Sequence, residues 1–77
     1  MLMDSLYIVI PAYNESETIR QVIDDWYPII EEHNGGGISR LVIIDDGSKD
    51  NTYEIMLEYA KNRPLFTSLQ KQNSGHG

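Results

Sequence analysis

The stretch Leu41-Val42-Ile43-Ile44-Asp45-Asp46-Gly47-Ser48 decides the fold of this chain. Its apolar residues are mostly β-branched and lack helical spacing, which is typical of a strand buried on both faces of a parallel sheet. Asp45 and Asp46 follow at the carboxyl end of that strand, where open α/β sheets bind ligands. Because adjacent carboxylates repel each other, they indicate a partner, which could be a ligand hydroxyl, a ring N–H, a metal or a cation.

Length, charge and composition narrow the classes of function. The chain has 77 residues, no cysteine and a formal net charge of −6. This size predicts one small domain, and the lack of cysteine excludes a disulfide. The negative charge argues against nucleic acid and anionic membrane surfaces as partners. No apolar run approaches the roughly 20 residues that span a bilayer, so we expect a soluble, cytoplasmic chain, with any membrane association coming from regions beyond it.

Two further apolar runs predict strands, at residues 6–10 and 65–69. Pro11 closes the first run, because proline cannot donate to a strand ladder, so residues 11–15 are predicted to form a loop. The element order is β-α-β-α-β, which predicts parallel strands with either the first or the second in the middle. Two helices cover little more than one sheet face. We therefore expect residues 1–77 to be the N-terminal segment of a larger α/β domain and to self-associate when isolated.

Capping signals and apolar periodicity place the two helices. Asn14, with Glu17 three residues later, or Ser16 is predicted to cap the first helix. Pro28 should kink or restart that helix, and residues 34–37 should end it with a left-handed cap. Asp50 or Asn51 should cap the second helix. The predicted apolar faces are Ile19, Val22, Ile23, Trp26 and Ile30 in the first helix, and Tyr53, Met56, Leu57 and Ala60 in the second.

The acidic pair and the loop before the first helix together predict a nucleotide site. In dinucleotide-binding folds, an acid after the second strand binds a ribose hydroxyl, as Asp45 or Asp46 could. Residues 11–15 contain no glycine, so the backbone cannot approach a pyrophosphate closely there. We therefore expect base and ribose, not phosphates, at these loops. Tyr13 could flank the base or pack against the first helix.

The motifs Pro11-Ala12-Tyr13-Asn14-Glu15 and, in register after it, residues 42–50 (VIIDDGSKD) resemble the opening of a family 2 glycosyltransferase. Residues 73–77 resemble that family's next Asn-x-Gly loop. The resemblance implies a three-layer, Rossmann-like GT-A fold, of which this chain is an incomplete part. It also implies inverting transfer of a sugar from a UDP- or GDP-sugar donor to an acceptor hydroxyl. The acceptor could be a polysaccharide, a lipid or a protein.

The resemblance also assigns roles to residues. Asp46 would recognise the base, usually uracil, while Asp45 would orient its loop. Glu15 would lie near the nucleotide or complement the dipole of the first helix. The implied substrate-binding residues are Pro11, Ala12 and Tyr13 around the base, Glu15, Asp45, Asp46, and Gly75 near the ribose and phosphates.

The same resemblance assigns the chemical step to residues outside this sequence. The family's metal motif and its general base come later along the chain than residue 77. A divalent cation, Mg or Mn, is therefore expected for the full domain but not for this segment. We expect the segment to contribute no catalytic residue and to be inactive alone.

Other interpretations of the acidic stretch stay open at the sequence level. Residues 45–48 could be only a turn and a helix cap. A receiver-like signalling module could hold magnesium with Asp45 and Asp46. A third alternative is a non-catalytic binding or interaction module with the same fold. Trp26 is predicted to be a core residue, and neither His33 nor His76 has spacing typical of a metal site.

Overall fold

The computed structural model of the chain describes residues 5–71, and its elements follow the order β-α-β-α-β. This confirms the predicted α/β class and is consistent with part of a Rossmann-like GT-A fold. The predicted positions of Asn73, Gly75 and His76 lie outside the described residues. The elements are β1 (Tyr7–Ala12), α1 (Ile19–Glu32), β2 (Arg40–Asp45), α2 (Thr52–Ala60) and β3 (Phe66–Gln70).

The three strands form one parallel sheet with β2 in the middle, one of the two predicted arrangements. In the β1–β2 register, Tyr7 lies opposite Arg40 and Ala12 lies opposite Asp45. The carboxyl ends of β1 and β2 are therefore level. Pro11 lies inside β1 and not in the following loop, which corrects the prediction. An edge strand accommodates proline because one side of its ladder is not paired.

Both helices pack on the same face of the sheet. Leu41, Ile43 and Asp45 of β2 are fully buried, whereas the alternating residues Val42 and Ile44 are only half-buried. The expectation of a strand buried on both faces is therefore wrong for the described chain. The buried hydrophobic cluster contains Ala12, Ile19, Ile23, Tyr27, Ile30, Leu41, Ile43, Ile55, Met56 and Phe66.

The opposite face of the sheet is apolar and uncovered by residues 5–71. The side chain of Tyr7 is 63% exposed and that of Val9 is 58% exposed. Because side chains alternate between the two faces along a strand, the same face also carries Val42, Ile44 and Leu69 of the paired strands. Residues 5–71 therefore leave this face of the sheet uncovered.

The face of α1 differs from the predicted one at a single pair of neighbouring aromatic residues. Trp26, predicted to be core, is 39% exposed, and Tyr27 is 8% exposed. The Tyr27 hydroxyl accepts a hydrogen bond from the backbone N–H of Leu65 at 3.2 Å. The Arg63 guanidinium lies 5.9 Å from the Tyr27 ring centroid. These contacts with the segment that precedes β3 hold Tyr27, and not Trp26, in the core.

The ends of α1 also differ from their predictions. The N-cap position is Thr18, without a side-chain cap hydrogen bond, so neither Asn14 nor Ser16 caps the helix. The helix is continuous through Pro28 and does not restart there. It ends at His33, whose φ is −107°, and the left-handed residue in the following turn is Gly37. The predicted left-handed cap is therefore wrong.

The second helix has the predicted N-cap position, Asn51, but again no side-chain cap hydrogen bond. Its buried face differs from the prediction, because Ile55 is buried and Leu57 is 43% exposed. Met56 is buried as predicted. No helix within residues 5–71 is long and apolar enough to cross a membrane.

Candidate nucleoside site at the carboxyl end of the sheet

Two loops meet at the carboxyl end of the sheet. The β1 loop, residues 13–18, follows Ala12, and the β2 loop, residues 46–51, follows Asp45. The N–H of Asp46 donates to the carbonyl of Ala12 at 2.8 Å, continuing the strand pairing by one residue. Tyr13 and Asp46 therefore leave adjacent strands at the same level, although they are far apart in the sequence.

The two adjacent carboxylates have different environments. Asp45 is 0% exposed, and its carboxylate accepts hydrogen bonds from the Ser48 N–H at 3.1 Å, the Ser48 hydroxyl and the Gln70 side-chain amide at 3.5 Å. Asp46 is half-buried, and its carboxylate has no hydrogen bond or ion pair with any of residues 5–71. Since a buried carboxylate is costly without donors, Asp45 is a structural anchor, and Asp46 retains its acceptor capacity.

Tyr13 also retains its binding capacity. Its side chain is 43% exposed, and its hydroxyl makes no hydrogen bond to any residue of the 5–71 range. An exposed aromatic ring with an available hydroxyl can stack on a planar base and donate or accept one hydrogen bond. Tyr13 and Asp46 together offer a stacking surface and an anionic acceptor on neighbouring loops.

Asn14 connects the two loops both as a hydrogen-bond donor and as an acceptor. Its backbone N–H donates to the Ser48 hydroxyl oxygen at 2.8 Å, and its side-chain oxygen accepts from the Lys49 N–H at 2.7 Å. Its φ of 51° lies in the left-handed region, which asparagine adopts more readily than most residues. The residue predicted to be a helix cap is therefore a bridge between the loops.

The next two residues of the β1 loop repeat this arrangement. The N–H of Glu15 donates to the Thr52 hydroxyl oxygen at 2.8 Å, and the N–H of Ser16 donates to the Asp50 carboxylate at 3.3 Å. The Thr52 hydroxyl in turn donates to Asp50. The start of α2 thus supplies acceptors to backbone groups that would otherwise be unsatisfied at this edge.

Asp50 is the one group among the described residues whose acidity is clearly perturbed. The Thr52 hydroxyl, which donates to its carboxylate, is the main cause that lowers the pKa of Asp50 below its usual value of 3.8. Desolvation opposes this shift, and the N–H groups of Thr52 and Ser16 add to it. The ionised form of Asp50 therefore suits its role as an acceptor between the loops.

The other predicted site residues lie around the same edge. Pro11 is exposed on β1, and Ala12 is buried at 2% exposure, so its side chain contributes to the core. The Glu15 carboxylate accepts from the Thr18 hydroxyl at 3.5 Å, close to the start of α1. The predicted contact of Gly75 lies outside the described residues.

Sequence reasoning missed the residues that hold the loops together. Ser48, Asp50 and Thr52 occupy alternate positions and supply acceptors to three consecutive N–H groups. The alternation of hydroxyl and carboxylate side chains in this stretch was the available signal. The same alternation is equally typical of a turn followed by a helix cap, because those motifs use the same residue types.

Potential metal-ligating side chains do not form a cluster within residues 5–71. These residues contain no group of three or more His, Cys, Asp or Glu side chains that could hold a metal ion. The receiver-like alternative requires both carboxylates to face a cation, whereas that of Asp45 is already occupied by Ser48 and Gln70. We therefore assign no step through a cation to these residues.

Comparison with known proteins identifies the family. The family model described as glycosyl transferase family 2 matches residues 7–77, from the first residue of β1 onward. The chain belongs to glycosyl transferase family 2. This family match covers both loops of the candidate site, so the resemblance carried by residues 11–15 and 42–50 is confirmed.

Curated relatives of this family 2 chain are longer proteins. A UDP-N-acetylglucosamine–dolichyl-phosphate N-acetylglucosaminyltransferase of Methanococcus voltae is 45% identical over 53 residues, which are 69% of this chain and 18% of that protein. A dolichyl-phosphate beta-glucosyltransferase of Trichomonas vaginalis is 38% identical, covering 94% of this chain and 24% of the relative. That of Saccharomyces cerevisiae is also 38% identical, covering 94% and 23%. The chain thus spans roughly a fifth to a quarter of these relatives' lengths.

Proposed function

We propose that this chain supplies the nucleoside-binding half of the donor site of a glycosyltransferase that uses a nucleotide sugar. The base and ribose of the donor bind between the β1 loop and the β2 loop. Tyr13 flanks the base, and the Asp46 carboxylate accepts a hydrogen bond from a ring N–H. We further propose that the chain alone does not transfer the sugar, because the described residues include no group of three or more His, Cys, Asp or Glu side chains that could hold a cation.

The unequal use of the two adjacent carboxylates carries this proposal. Asp45 is buried and its carboxylate accepts from Ser48 and Gln70, whereas the carboxylate of the half-buried Asp46 has no partner within residues 5–71. A carboxylate placed beside an exposed tyrosine and left unpaired is suited to a ligand that carries both a ring and N–H donors. A nucleoside has both, and a uracil base presents one ring N–H for a single carboxylate.

Uridine diphosphate is the proposed nucleotide, and a phosphorylated lipid is the proposed acceptor. One relative's name gives UDP-N-acetylglucosamine as donor, and all three relatives described above carry dolichyl phosphate in their names. In the reaction proposed for the full domain, an acceptor phosphate oxygen attacks the anomeric carbon. The bond from that carbon to the donor diphosphate breaks, and UDP leaves with the electron pair.

The acceptor class changes what the rest of the domain must provide. A phosphate monoester is largely ionised at neutral pH, because its second pKa is about 6, so it is a nucleophile without a general base. A hydroxyl acceptor, in contrast, must lose a proton to a base. A divalent cation, Mg or Mn, would neutralise the charge that develops on the leaving diphosphate. We propose that its ligands lie outside residues 5–71.

Isothermal titration of the 77-residue chain with UDP, GDP and ADP tests the nucleoside site. We expect UDP to bind most tightly. Tyr13→Ala and Asp46→Ala should each raise the Kd for UDP about tenfold, because base stacking and a charge-assisted hydrogen bond are each worth about 1–3 kcal/mol.

Matched controls separate the site from general effects of the substitutions. Tyr7→Ala removes an exposed tyrosine at the opposite end of β1, and Asp25→Ala removes an exposed carboxylate of α1. Both control variants should bind UDP within about twofold of the unmodified chain. Equal loss in control and site variants, or no UDP binding by the unmodified chain, would contradict the proposal.

A further inference from the structure

Four side chains form a hydrogen-bonded set between the two loops, which we term the loop clasp: Asn14, Ser48, Asp50 and Thr52. Three consecutive N–H groups of the β1 loop, those of residues 14–16, each donate to a different side chain of the clasp. The Asn14 side-chain oxygen in turn accepts a hydrogen bond from the Lys49 N–H. Backbone groups of both loops are therefore fixed by side chains and not by regular strand pairing.

The clasp connects the exposed rim to the buried core. The Ser48 hydroxyl accepts from the Asn14 N–H and donates to the Asp45 carboxylate. Asp45 is fully buried at the end of the central strand. A continuous path of hydrogen bonds therefore runs from the core to the residue directly after Tyr13. On the other loop, Ser48 lies two residues after Asp46, so the same hydroxyl constrains both sides of the site.

We infer that the loop clasp is a positioning device that sets the separation of Tyr13 and Asp46 and thereby the affinity for the nucleoside. This inference depends on the proposed function, since it assumes that a nucleoside binds between those two residues. The clasp side chains need not touch the nucleoside. Preorganised loops bind more tightly because less ordering must occur on binding.

The competing interpretation is that the clasp only stabilises the fold. The chain offers a matched control for this, because the Asn34 side-chain oxygen also accepts from a backbone N–H, that of Ser39, at 3.0 Å. Asn34 lies before β2, at the amino end of the sheet. Asn14→Gly and Asn34→Gly therefore remove the same kind of bond at opposite ends. Glycine also tolerates the φ of 51° at position 14, so this variant adds no backbone strain there.

The experiment measures UDP affinity by titration and unfolding by urea for both variants. Asn14→Gly should raise the Kd for UDP about three- to tenfold, the effect of one hydrogen bond, while Asn34→Gly leaves it within twofold. Both should lower the urea midpoint to a similar extent. Asn14→Asp, which keeps an acceptor oxygen and tolerates this φ, should recover affinity to within about twofold.

The outcomes separate the inference from the function on which it depends. If the unmodified chain binds UDP and Asn14→Gly binds it equally well, the positioning role is wrong and the proposed function stands. If the unmodified chain does not bind UDP, the proposed function fails and the positioning role with it. Should Asn14→Gly not fold, Asp50→Ala, which removes the acceptor of the Ser16 N–H and of the Thr52 N–H and hydroxyl, provides the same test.

Discussion

Polar side chains hold both ends of the sheet together, but the carboxyl end also places a carboxylate that is unpaired within residues 5–71 on the loop next to an exposed tyrosine. At the amino end, Ser39 is fully buried, accepts from the Leu6 N–H at 2.8 Å and donates to the His33 carbonyl at 2.5 Å. At the carboxyl end, Asp45 has the equivalent buried role, but the side chains of Tyr13 and Asp46 have no hydrogen-bonding partner within residues 5–71.

This difference shows how a chain can separate stability from binding. At both ends, buried polar atoms are satisfied, as the free energy of burial requires. At the carboxyl end, the neighbouring positions stay unsatisfied while the loops around them are fixed. Substitutions at matched positions of the two ends should therefore have similar effects on unfolding but different effects on nucleotide binding.

The largest effect is expected at the acidic pair itself. Asp45→Ala removes a fully buried acceptor from the N–H and hydroxyl of the half-buried Ser48 and from the side-chain amide of Gln70. The free energy of unfolding should fall by about 3 kcal/mol, since each unsatisfied buried donor costs about 1–3 kcal/mol. Asp46→Ala should cost less than about 0.5 kcal/mol. Urea denaturation measures both, and equal losses would show that the two carboxylates do not differ as described.

At the amino end of the sheet, we expect a substitution to reduce stability without changing nucleotide binding. Ser39→Ala removes the acceptor of the Leu6 N–H and the donor to the His33 carbonyl. We expect a loss of about 2 kcal/mol in unfolding free energy, with the Kd for UDP unchanged in the folded fraction. Urea denaturation and isothermal titration on the same sample provide both values. A large loss of UDP affinity would mean that the two ends are coupled.

Two glycines allow a closer comparison of the ends. Gly47 in the β2 loop has φ 77°, and Gly37 before β2 has φ 76° with no atom within 4 Å of an added Cβ. Alanine at either position should cost about 1 kcal/mol from backbone conformation alone. Gly47→Ala should also weaken UDP binding, whereas Gly37→Ala should not. Thermal unfolding with parallel titration checks this, and identical binding by the two variants would contradict it.

The smallest expected effect is the pH dependence of the loop clasp. The Thr52 hydroxyl lowers the folded-state pKa of Asp50 below its usual value of 3.8. A group with a lowered folded pKa stabilises the fold above its unfolded pKa and loses that contribution as the pH falls through the folded pKa. The urea midpoint of the unmodified chain should therefore fall slightly as the pH drops below about 4, and Asp50→Asn should abolish this decrease. Parallel pH profiles of the two chains would refute this assignment.

Apolar patterning in the sequence was sufficient to predict the strands, their order along the chain and the position of the acidic pair. Short runs of β-branched residues that end in Pro11 or Asp45 carry that information locally. The central position of β2 also agrees with one of the two arrangements that right-handed crossovers allow. Family membership followed from two motifs whose spacing is fixed by this same β-α-β unit.

Features that depend on distant partners were beyond such reasoning. Asn14 has the spacing of a helix cap, but its actual partner, the Lys49 N–H, lies 35 residues away. Trp26 and Tyr27 both fit an apolar helix face, and only the contacts of Tyr27 with Leu65 and Arg63 distinguish them. Residue type alone does not distinguish Asp45 from Asp46; the family resemblance assigned them different roles, and the alternation of β2 buries only Asp45.

Intermolecular NOEs between UDP and the isotopically labelled chain test the central claim most directly. The account predicts contacts between the uracil ring protons and the Tyr13 ring, together with a large shift of the Asp46 amide. Amides at the amino end, such as those of Ser39 and Arg40, should not move. Bound UDP with NOEs only to residues outside the two loops, or to Tyr7 in place of Tyr13, would contradict it.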